Sequence, residues 1–277
     1  MAFAGTDIVA YLSANRPENN ASTSGGAIDA TMRLIDRTVA FDINGASGDK
    51  IDLVSSSASD NSGVTATLEG YAVDGTWISE ARTLNGVGHV QSTATFHHLL
   101  RIELSANAVG NVTVARYNAA APVTLFTIPI GEQGAAAMFL KIAAEAGGGA
   151  TVTAYEKLFL KNTNAIFGCV SSIFYCGTNE NSRLTFALEC AGGTGAAYQV
   201  DGGTESVANR VTAPNGGGTY TFAAAATVGA GLAMGDAADG NLSPAEAQGI
   251  WVKCVLPAGT AADRESQWVP AWQANGT

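Results

Sequence analysis

The stretch that decides the fold comprises residues 63–117, GVTATLEGYAVDGTWISEARTLNGVGHVQSTATFHHLLRIELSANAVGNVTVARY. Small or apolar side chains occupy every second position from Val64 to Ala72, and Thr, Glu and Tyr lie between them. This period of two is expected of a strand that buries one face. The pair Asp74-Gly75 follows, and such a pair readily adopts the positive φ angles of a tight hairpin turn. The stretch therefore predicts a stiff antiparallel sheet that presents surface.

Strand signals continue on both sides of this hairpin. A second turn is predicted at Asn85-Gly86, and the strands predicted after it occupy residues 89–96, 99–105 and 111–117. The strands predicted upstream occupy residues 28–34, 38–43 and 50–54. About seven strands with turns every eight to twelve residues are typical of an antiparallel sandwich or barrel.

The second half of the chain is also rich in strand signals. It follows an Ala/Pro passage at residues 118–122, which is the best candidate for a domain boundary. Residues 135–146 have helix propensity, but propensity is a weak guide and their neighbours are strands, so we predict a strand there. The other predicted strands occupy residues 123–130, 151–161, 166–175, 183–190, 219–228 and 249–256, with long Gly-rich loops between several of them.

The predicted fold class is all-β, with two antiparallel β-sandwich domains of the jelly-roll or Ig-like kind and an extended N-terminal arm. We assign residues 1–26 to the arm, residues 27–117 to the first sandwich and residues 118–277 to the second. The arm is mostly polar and is predicted to be disordered alone or to lie across a neighbouring subunit. The residues predicted to contact a partner are Ile8, Tyr11, Leu12, Trp268 and Trp272.

The charge balance argues against several classes of partner. The chain has 14 basic and 24 acidic residues, a net charge of −10, and no run of Lys or Arg. Nucleic-acid binding through counterion release needs a basic stripe, so neither nucleic acid nor a membrane is an expected partner. No segment has the length of a membrane span, and residues 1–16 lack a signal-peptide pattern, so we expect folding in a reducing cytoplasm. Only 14% of residues are charged, which favours coverage of part of the surface by other subunits.

The four cysteines fit a reducing compartment. Cys169, Cys176, Cys190 and Cys254 form no Cys-x-x-Cys pair, so the sequence gives little support to a structural zinc site. On one strand Cys169 and Cys176 would lie about 23 Å apart, too far for a disulfide. We expect buried free thiols, with a Cys190–Cys254 bridge as the open alternative.

No catalytic, cofactor-binding or metal-binding residue is predicted, and we expect the chain not to be an enzyme. His97 and His98 are adjacent on a predicted strand, so they point to opposite faces and cannot easily share a metal ion. Glycines at residues 229–235 faintly resemble a dinucleotide loop, but no helix follows to bind a pyrophosphate. Asp236, Asp239 and Asn241 could bind calcium in a loop, but they lack the closing bidentate Glu and the ligand spacing of a recognised calcium loop.

Two further constellations have ordinary explanations. Glu69 and Glu80 lie on facing strands of the hairpin, where a cross-strand polar pair is expected more often than the two carboxylates of a glycosidase. The aromatic rings of Tyr71, Trp77 and Trp251 could stack on sugar rings, although packing in the core is commoner.

Two groups of segments carry a resemblance to a known class of proteins. The first group is VDGT (73–76), SEARTLNG (79–86), Phe96 and VGNVTV (109–114). The second group is YEKLFLKNTN (155–164), LSPAEA (242–247), GIWVK (249–253) and LPAGT (256–260). Together they resemble β-sandwich virion structural proteins of tailed bacteriophages. His97-His98, after Phe96, departs from the small or β-branched residues of that pattern.

The resemblance implies a structural virion protein, and we expect a capsid decoration or cement protein on the capsid surface. The implied partners are the major capsid protein and copies of the chain itself, as a homotrimer. No cofactor is expected. The alternative is a receptor- or carbohydrate-binding component of a tail or head fibre.

Overall fold

The computed structural model describes residues 4–35, 48–117, 122–140, 150–179, 182–189, 203–215, 220–235, 240–258 and 268–276. Within these ranges the chain is all-β, as predicted, with antiparallel sheets, two short 3-10 turns and no α-helix. Residues 134–136 pair in parallel with residues 32–34. No helix in the described ranges is both long enough and apolar enough to cross a bilayer.

Seventeen strands lie in the described residues. In chain order they are β1 (Ile8–Asn15), β2 (Ser24–Leu34), β3 (Lys50–Ser55), β4 (Thr65–Tyr71), β5 (Trp77–Thr83), β6 (Val90–Gln91), β7 (His98–Leu104), β8 (Val112–Tyr117), β9 (Pro122–Ile128), β10 (Gly134–Ala136), β11 (Val152–Asn162), β12 (Cys169–Asn179), β13 (Leu184–Leu188), β14 (Ser206–Val207), β15 (Leu232–Ala233), β16 (Ala247–Leu256) and β17 (Trp268–Gly276). The 3-10 turns are Gly5–Asp7 and Val228–Ala230.

The chain divides into two compact units whose limits differ from the predicted domains. Unit 1 comprises residues 1–29 and 138–277, and unit 2 comprises residues 30–137. The predicted boundary at 118–122 falls mostly outside the described residues. Beyond it, β9 pairs with β8 and β10 pairs with β7, so residues 122–136 belong with the strands that precede them. Strand pairing, which local composition does not report, sets these limits.

Unit 2 is a β-sandwich. One sheet has the order β10-β7-β4-β5 and the other has the order β6-β3-β8-β9. Ile51, Leu53 and Val114 from the second sheet pack with Leu68 and Ile102 from the first in one buried cluster. Pairing of two inner faces in this way is the sandwich arrangement.

The hairpin that anchors unit 2 forms as predicted. Thr65 pairs with Thr83 and Tyr71 with Trp77. Of the predicted turn pair only Gly75 has a positive φ, +81°, because the turn spans Ala72 to Thr76 and is longer than a two-residue hairpin loop. Burial alternates along β4 with a period of two, and Ala66, Leu68 and Gly70 face the core. The turn at Asn85-Gly86 is also confirmed, with Gly86 at a φ of +57°.

Unit 1 also contains two sheets. The larger has the order β13-β16-β11-β1, and the smaller has the order β15-β12-β17. The ring of Phe186 on β13 contacts Phe174 of β12 and Trp268 of β17, at centroid distances of 5.1 and 5.9 Å. The main chain of β11 pairs with β16 along residues 152–161 and with β1 along residues 158–162, and seven consecutive side chains of β11 are buried.

The structure corrects the interpretation of residues 1–26 as an extended arm. Residues 8–15 form β1, which pairs antiparallel with β11 from Ile8 opposite Asn162 to Leu12 opposite Leu158. The apolar residues Ile8, Tyr11 and Leu12 of this segment are therefore buried within the chain itself. The prediction was wrong because the partner strand lies far away in the sequence.

Two other strand predictions have mixed outcomes. The strand predicted at residues 135–146 is confirmed only at 135–136; residues 137–140 are neither strand nor helix, and the rest lie outside the described residues. The strand predicted at 219–228 is wrong for the described residues, where Ala223 forms only an isolated bridge with Phe186. The strand predicted at 38–43 lies outside the described residues.

Candidate functional site

Two adjacent charged residues of β11, Glu156 and Lys157, are buried in unit 1. Successive side chains of a strand point to opposite faces, so the two belong to different networks. Each is paired with a buried residue of opposite charge: Arg210 for Glu156 and Glu189 for Lys157. A buried charge is tolerated only when it is paired and hydrogen-bonded, and both of these are.

The Glu156 network joins three segments of unit 1. Arg210 Nη1 donates to Glu156 Oε1 at 3.4 Å, to the Leu140 carbonyl at 3.0 Å and to the Pro17 carbonyl at 3.4 Å. The backbone N–H of Phe139 donates to Glu156 Oε2 at 2.8 Å. Burial raises the pKa of Glu156 to about 7, against the opposing effect of Arg210. The pair fixes irregular segments onto a strand.

The Lys157 network lies on the other face of β11. Lys157 Nζ donates to Glu189 Oε1 at 2.8 Å and to the carbonyls of Glu205 and Gly203 at 2.8 and 3.3 Å. The same ammonium lies over the Trp251 ring at 5.3 Å. The side chains of Lys157 and Glu189 have no exposed surface.

A third carboxylate, that of Glu205, borders this network. It accepts hydrogen bonds from Trp251 Nε1 at 2.9 Å and from the Tyr220 hydroxyl at 2.6 Å. Trp251 and Tyr220 belong to a buried aromatic cluster with Tyr155. Trp251 is fully buried, so it packs in the core, which was the commoner of the two explanations, and it is not available to stack on a sugar.

Sequence reasoning missed these networks, although a signal is present. The segment YEKLFL (155–160) places an acid and a base inside an apolar run. In a strand that buries only one face, one of the two would reach solvent. Because β11 is covered on both faces, both charges need internal partners, which come from residues that no local spacing identifies.

A second candidate region is the end of unit 2 where four connections meet, at residues 56–64, 84–89, 105–111 and 129–133. We call it the loop end. The buried carboxylate of Asp60 accepts hydrogen bonds from Ser55 Oγ and from the backbone N–H groups of Val109 and Gly110. The Asp60 carbonyl accepts from the N–H of Gly86 at 2.7 Å. One residue thus joins three of the four connections.

The electrostatics of Asp60 favour its charged form. Burial raises the pKa of a carboxyl, but the hydrogen bonds from Ser55, Val109 and Gly110 outweigh burial and hold the pKa of Asp60 below its ordinary value. The fourth connection joins through Asn111, whose Oδ1 accepts from the Ile130 N–H at 3.1 Å. The loop end is therefore a hydrogen-bonded platform.

Large apolar side chains project from this platform. Val87 and Val109 are each 61% exposed and Ile130 is 63% exposed. They sit on three different connections of the loop end. Several exposed apolar residues at one end of a unit make that end a candidate interaction surface.

The outer end of the β4–β5 hairpin carries a partly exposed aromatic pair. The rings of Tyr71 and Trp77 meet edge to face with centroids 5.1 Å apart, and Val73 beside them is 42% exposed. This pair is the part of the predicted sugar-stacking set that reaches the surface.

The predicted partner-contact residues have two different placements. Ile8, Tyr11 and Leu12 are buried within unit 1, so they cannot anchor on a neighbour in this fold. Trp268 and Trp272 lie on β17 and are partly buried, with Trp268 against Phe186. The structure does not bring the two groups together as a partner site.

The other candidate residues are also placed. Glu80 is in register with Leu68, and Glu69 with Ser79, so the two carboxylates point to opposite faces of the sheet and the predicted cross-strand pair is wrong. His98 is buried and His97 is partly exposed. The prediction that they point to opposite faces of one strand is wrong, because β7 begins at His98 and the two rings meet edge to face with centroids 4.3 Å apart.

Three of the four cysteines lie in the described residues. Cys169, Cys176 and Cys254 are buried free thiols, as predicted, and Cys190 lies outside the described residues. Burial raises the pKa of Cys254 to about 12. In the described part of the chain no group of three His, Cys, Asp or Glu residues is arranged to hold a metal ion. Of the residues considered and set aside as calcium ligands, Asp236 and Asp239 lie outside the described residues.

Comparison of the chain with protein-family models, with curated proteins and with solved structures finds no match.

Proposed function

We propose that this chain is a structural virion protein of a tailed phage, which binds the capsid surface as a decoration protein through the loop end. The observation that carries the proposal is that three exposed apolar side chains, Val87, Val109 and Ile130, lie on connections at the same hydrogen-bonded end of unit 2. A rigid apolar surface binds at low entropic cost because little is ordered on contact. The resemblance of the strand-and-turn segments to phage virion proteins supports the class of partner.

The rest of the molecule fits a mechanical role. The partners are the major capsid protein and copies of the chain itself, as a homotrimer. The ion pairs on both faces of β11 connect irregular segments to a central strand of unit 1. A scaffold held in this way keeps its shape when a load is applied at its surface.

The test is binding of purified protein to particles of the encoding phage that lack it. We expect the double variant Val109→Ser, Ile130→Ser to lose occupancy on the particle while its melting temperature stays close to that of the wild type. The matched control is Val211→Ser, which removes a 44%-exposed valine of unit 1. Equal occupancy of all three proteins would refute the role of the loop end, and absence of the wild type from purified particles would refute the function. A monomer at high concentration in light scattering would count against the homotrimer.

A second candidate is a receptor- or carbohydrate-binding tail or fibre component, favoured by the Tyr71–Trp77 pair. Partly exposed aromatic rings supply a stacking surface for sugars. Under this function a glycan array gives binding that Trp77→Ala abolishes and Val211→Ser does not. Few copies on the tail rather than many on the head, counted by quantitative mass spectrometry of purified particles, would also support it.

A further inference from the structure

The environment of Lys157 and Glu189 resembles a reaction site more than an ordinary surface ion pair. Both side chains are completely buried, and Nζ lies 2.8 Å from Oε1. Lys157 is on β11 and Glu189 directly follows β13, with β16 paired between the two strands. A covalent bond between these residues would therefore clamp three adjacent strands.

The two oxygens of Glu189 have different surroundings. Oε1 accepts from Lys157 Nζ and from the backbone N–H of Glu205 at 2.9 Å. Oε2 is buried and has no hydrogen-bond partner among the described residues. Burying a carboxylate oxygen without a hydrogen bond costs free energy. An amide carbonyl in place of the carboxylate would no longer contain that oxygen and would avoid this cost.

Two glycines make room for this carboxyl. A Cβ built on Gly203 would lie 2.0 Å from Glu189 Oε2, and a Cβ on Gly249 would lie 2.1 Å from the same atom. Any other residue at either position would displace the Glu189 side chain. The backbones at Gly203 and Gly249 thus pack closely against Oε2 of the carboxyl and restrict its position beside Lys157.

We propose that Lys157 and Glu189 condense to an intramolecular isopeptide bond between Nζ and Cδ. A proton first passes from the ammonium to the Oε2 side of the carboxyl, which gives a neutral amine beside a neutral acid. Nζ then attacks Cδ, and the charge that develops on Oε1 is stabilised by the N–H of Glu205, as in an oxyanion hole. Nζ loses a proton to the departing Oε2, the Cδ–Oε2 bond breaks, and one water molecule leaves. No oxidant or other co-reactant is needed.

The burial of the pair supports the neutral forms that this step requires. Burial lowers the pKa of the Lys157 amine and raises the pKa of the Glu189 carboxyl, and the attraction between them opposes both shifts. The ring centroids of Trp251 and Phe159 lie 5.3 and 5.1 Å from Nζ, and the side chains of Lys157 and Glu189 have no surface exposed to water.

The experiment is mass spectrometry of the denatured, full-length protein. The bond makes the wild type lighter than its sequence by the mass of one water molecule, and protease digestion yields one branched peptide that contains Lys157 and Glu189. The variant Lys157→Met should have the full mass of its sequence. The control Lys253→Met, which removes a partly exposed lysine of β16, should retain the loss of water and the branched peptide.

A wild-type protein with the full mass of its sequence and with separate linear peptides for the two residues overturns the proposal, and the pair is then an ion pair only. A loss of water that maps to other residues overturns it equally. Because the readout is the mass of the wild-type chain, a failure of Lys157→Met to fold does not affect the test.

Discussion

At the scale of single residues, the buried charges of unit 1 decide how much the fold loses when one of them is removed. Glu156 and Arg210 stabilise each other in a place where neither would be tolerated alone. Such a pair adds little net stability compared with apolar residues, but breaking it leaves an uncompensated charge. The pair therefore favours this one arrangement of the chain without adding much to its free energy of unfolding.

We expect Arg210→Met to lower the free energy of unfolding by about 3–5 kcal/mol at about pH 8. The loss should be smaller at about pH 5.5, because the pKa of Glu156 is already raised to about 7 and the unpaired carboxyl takes up a proton. The measurement is urea unfolding at both pH values. The matched control is Arg82→Met, which breaks a partly exposed ion pair with Glu80 and should cost under about 1 kcal/mol. A similar cost for both variants would contradict the expectation.

The Glu156 carboxyl also gives the wild type a pH dependence of known sign. Its pKa is 4.5 in the unfolded chain and about 7 in the folded one, so the folded state binds the extra proton between these values. The contribution of Glu156 to stability therefore falls as the pH rises from about 4.5 through 7.

The contribution of Asp60 to stability depends on pH with the opposite sign. The pKa of Asp60 in the folded state lies below its ordinary value of 3.8, so its contribution to stability is present above that value and is lost as the pH falls through the lower, folded pKa. We expect Asp60→Asn to cost about 1–3 kcal/mol at neutral pH, because N–H groups of the loop end lose a charged acceptor. Hydrogen exchange should show faster exchange at Val109 and Gly110. Unchanged exchange at these two amides would show that Asp60 does not hold the loop end together.

At the scale of elements, the sheet that contains β4 and β7 has a register shift between Glu69 and Gly70. A Cβ built on Gly70 would lie 1.9 Å from the carbonyl oxygen of His98. The two backbones approach so closely at this irregularity that only glycine fits without a shift.

We expect Gly70→Ala to lower the free energy of unfolding by about 1–3 kcal/mol, as overpacking does. Gly63→Ala is the matched control, since a Cβ at Gly63 meets nothing within 4 Å. Thermal or urea unfolding of the two variants measures the difference. If neither substitution lowers the free energy of unfolding, the expectation that the backbone approach at Gly70 excludes a Cβ is contradicted.

Local pattern predicts some elements and not others for physical reasons. The strand β4 buries one face, so its alternation could be recognised from Val64 to Ala72 without knowledge of its neighbours. Burial along β1 does not alternate regularly, and its partner β11 lies more than a hundred residues away, so neither its pairing nor its burial could be predicted. The loop end was missed for the same reason: Asp60 and Gly110 are brought together only by the pairing of β3 with β8.

At the scale of the whole molecule, unit 2 has its own hydrophobic core. Every residue of its buried cluster, from Ile35 to Ala135, lies within residues 30–137. Its two sheets close around that cluster. The cluster contains no residue of unit 1.

We expect a fragment of residues 30–137 to fold alone and to unfold in one cooperative transition. Circular dichroism against temperature and the dispersion of amide signals in an NMR spectrum are the measurements.

The complementary truncation that removes residues 1–15 should destabilise unit 1, because β11 loses the strand paired to one of its edges. A fragment without a cooperative transition, or a truncated chain as stable as the intact one, would contradict this division.

The interrupted order of unit 1 has a consequence for synthesis on the ribosome. When β1 leaves the exit tunnel, Leu158, the residue that will pair with Leu12, has not yet been translated, and all of unit 2 must be made first. At ordinary elongation rates the delay is on the order of ten seconds. Throughout that time Ile8, Tyr11 and Leu12 are apolar side chains on an incomplete nascent chain, open to chaperones or to misfolding, while the second unit of the molecule is already able to fold.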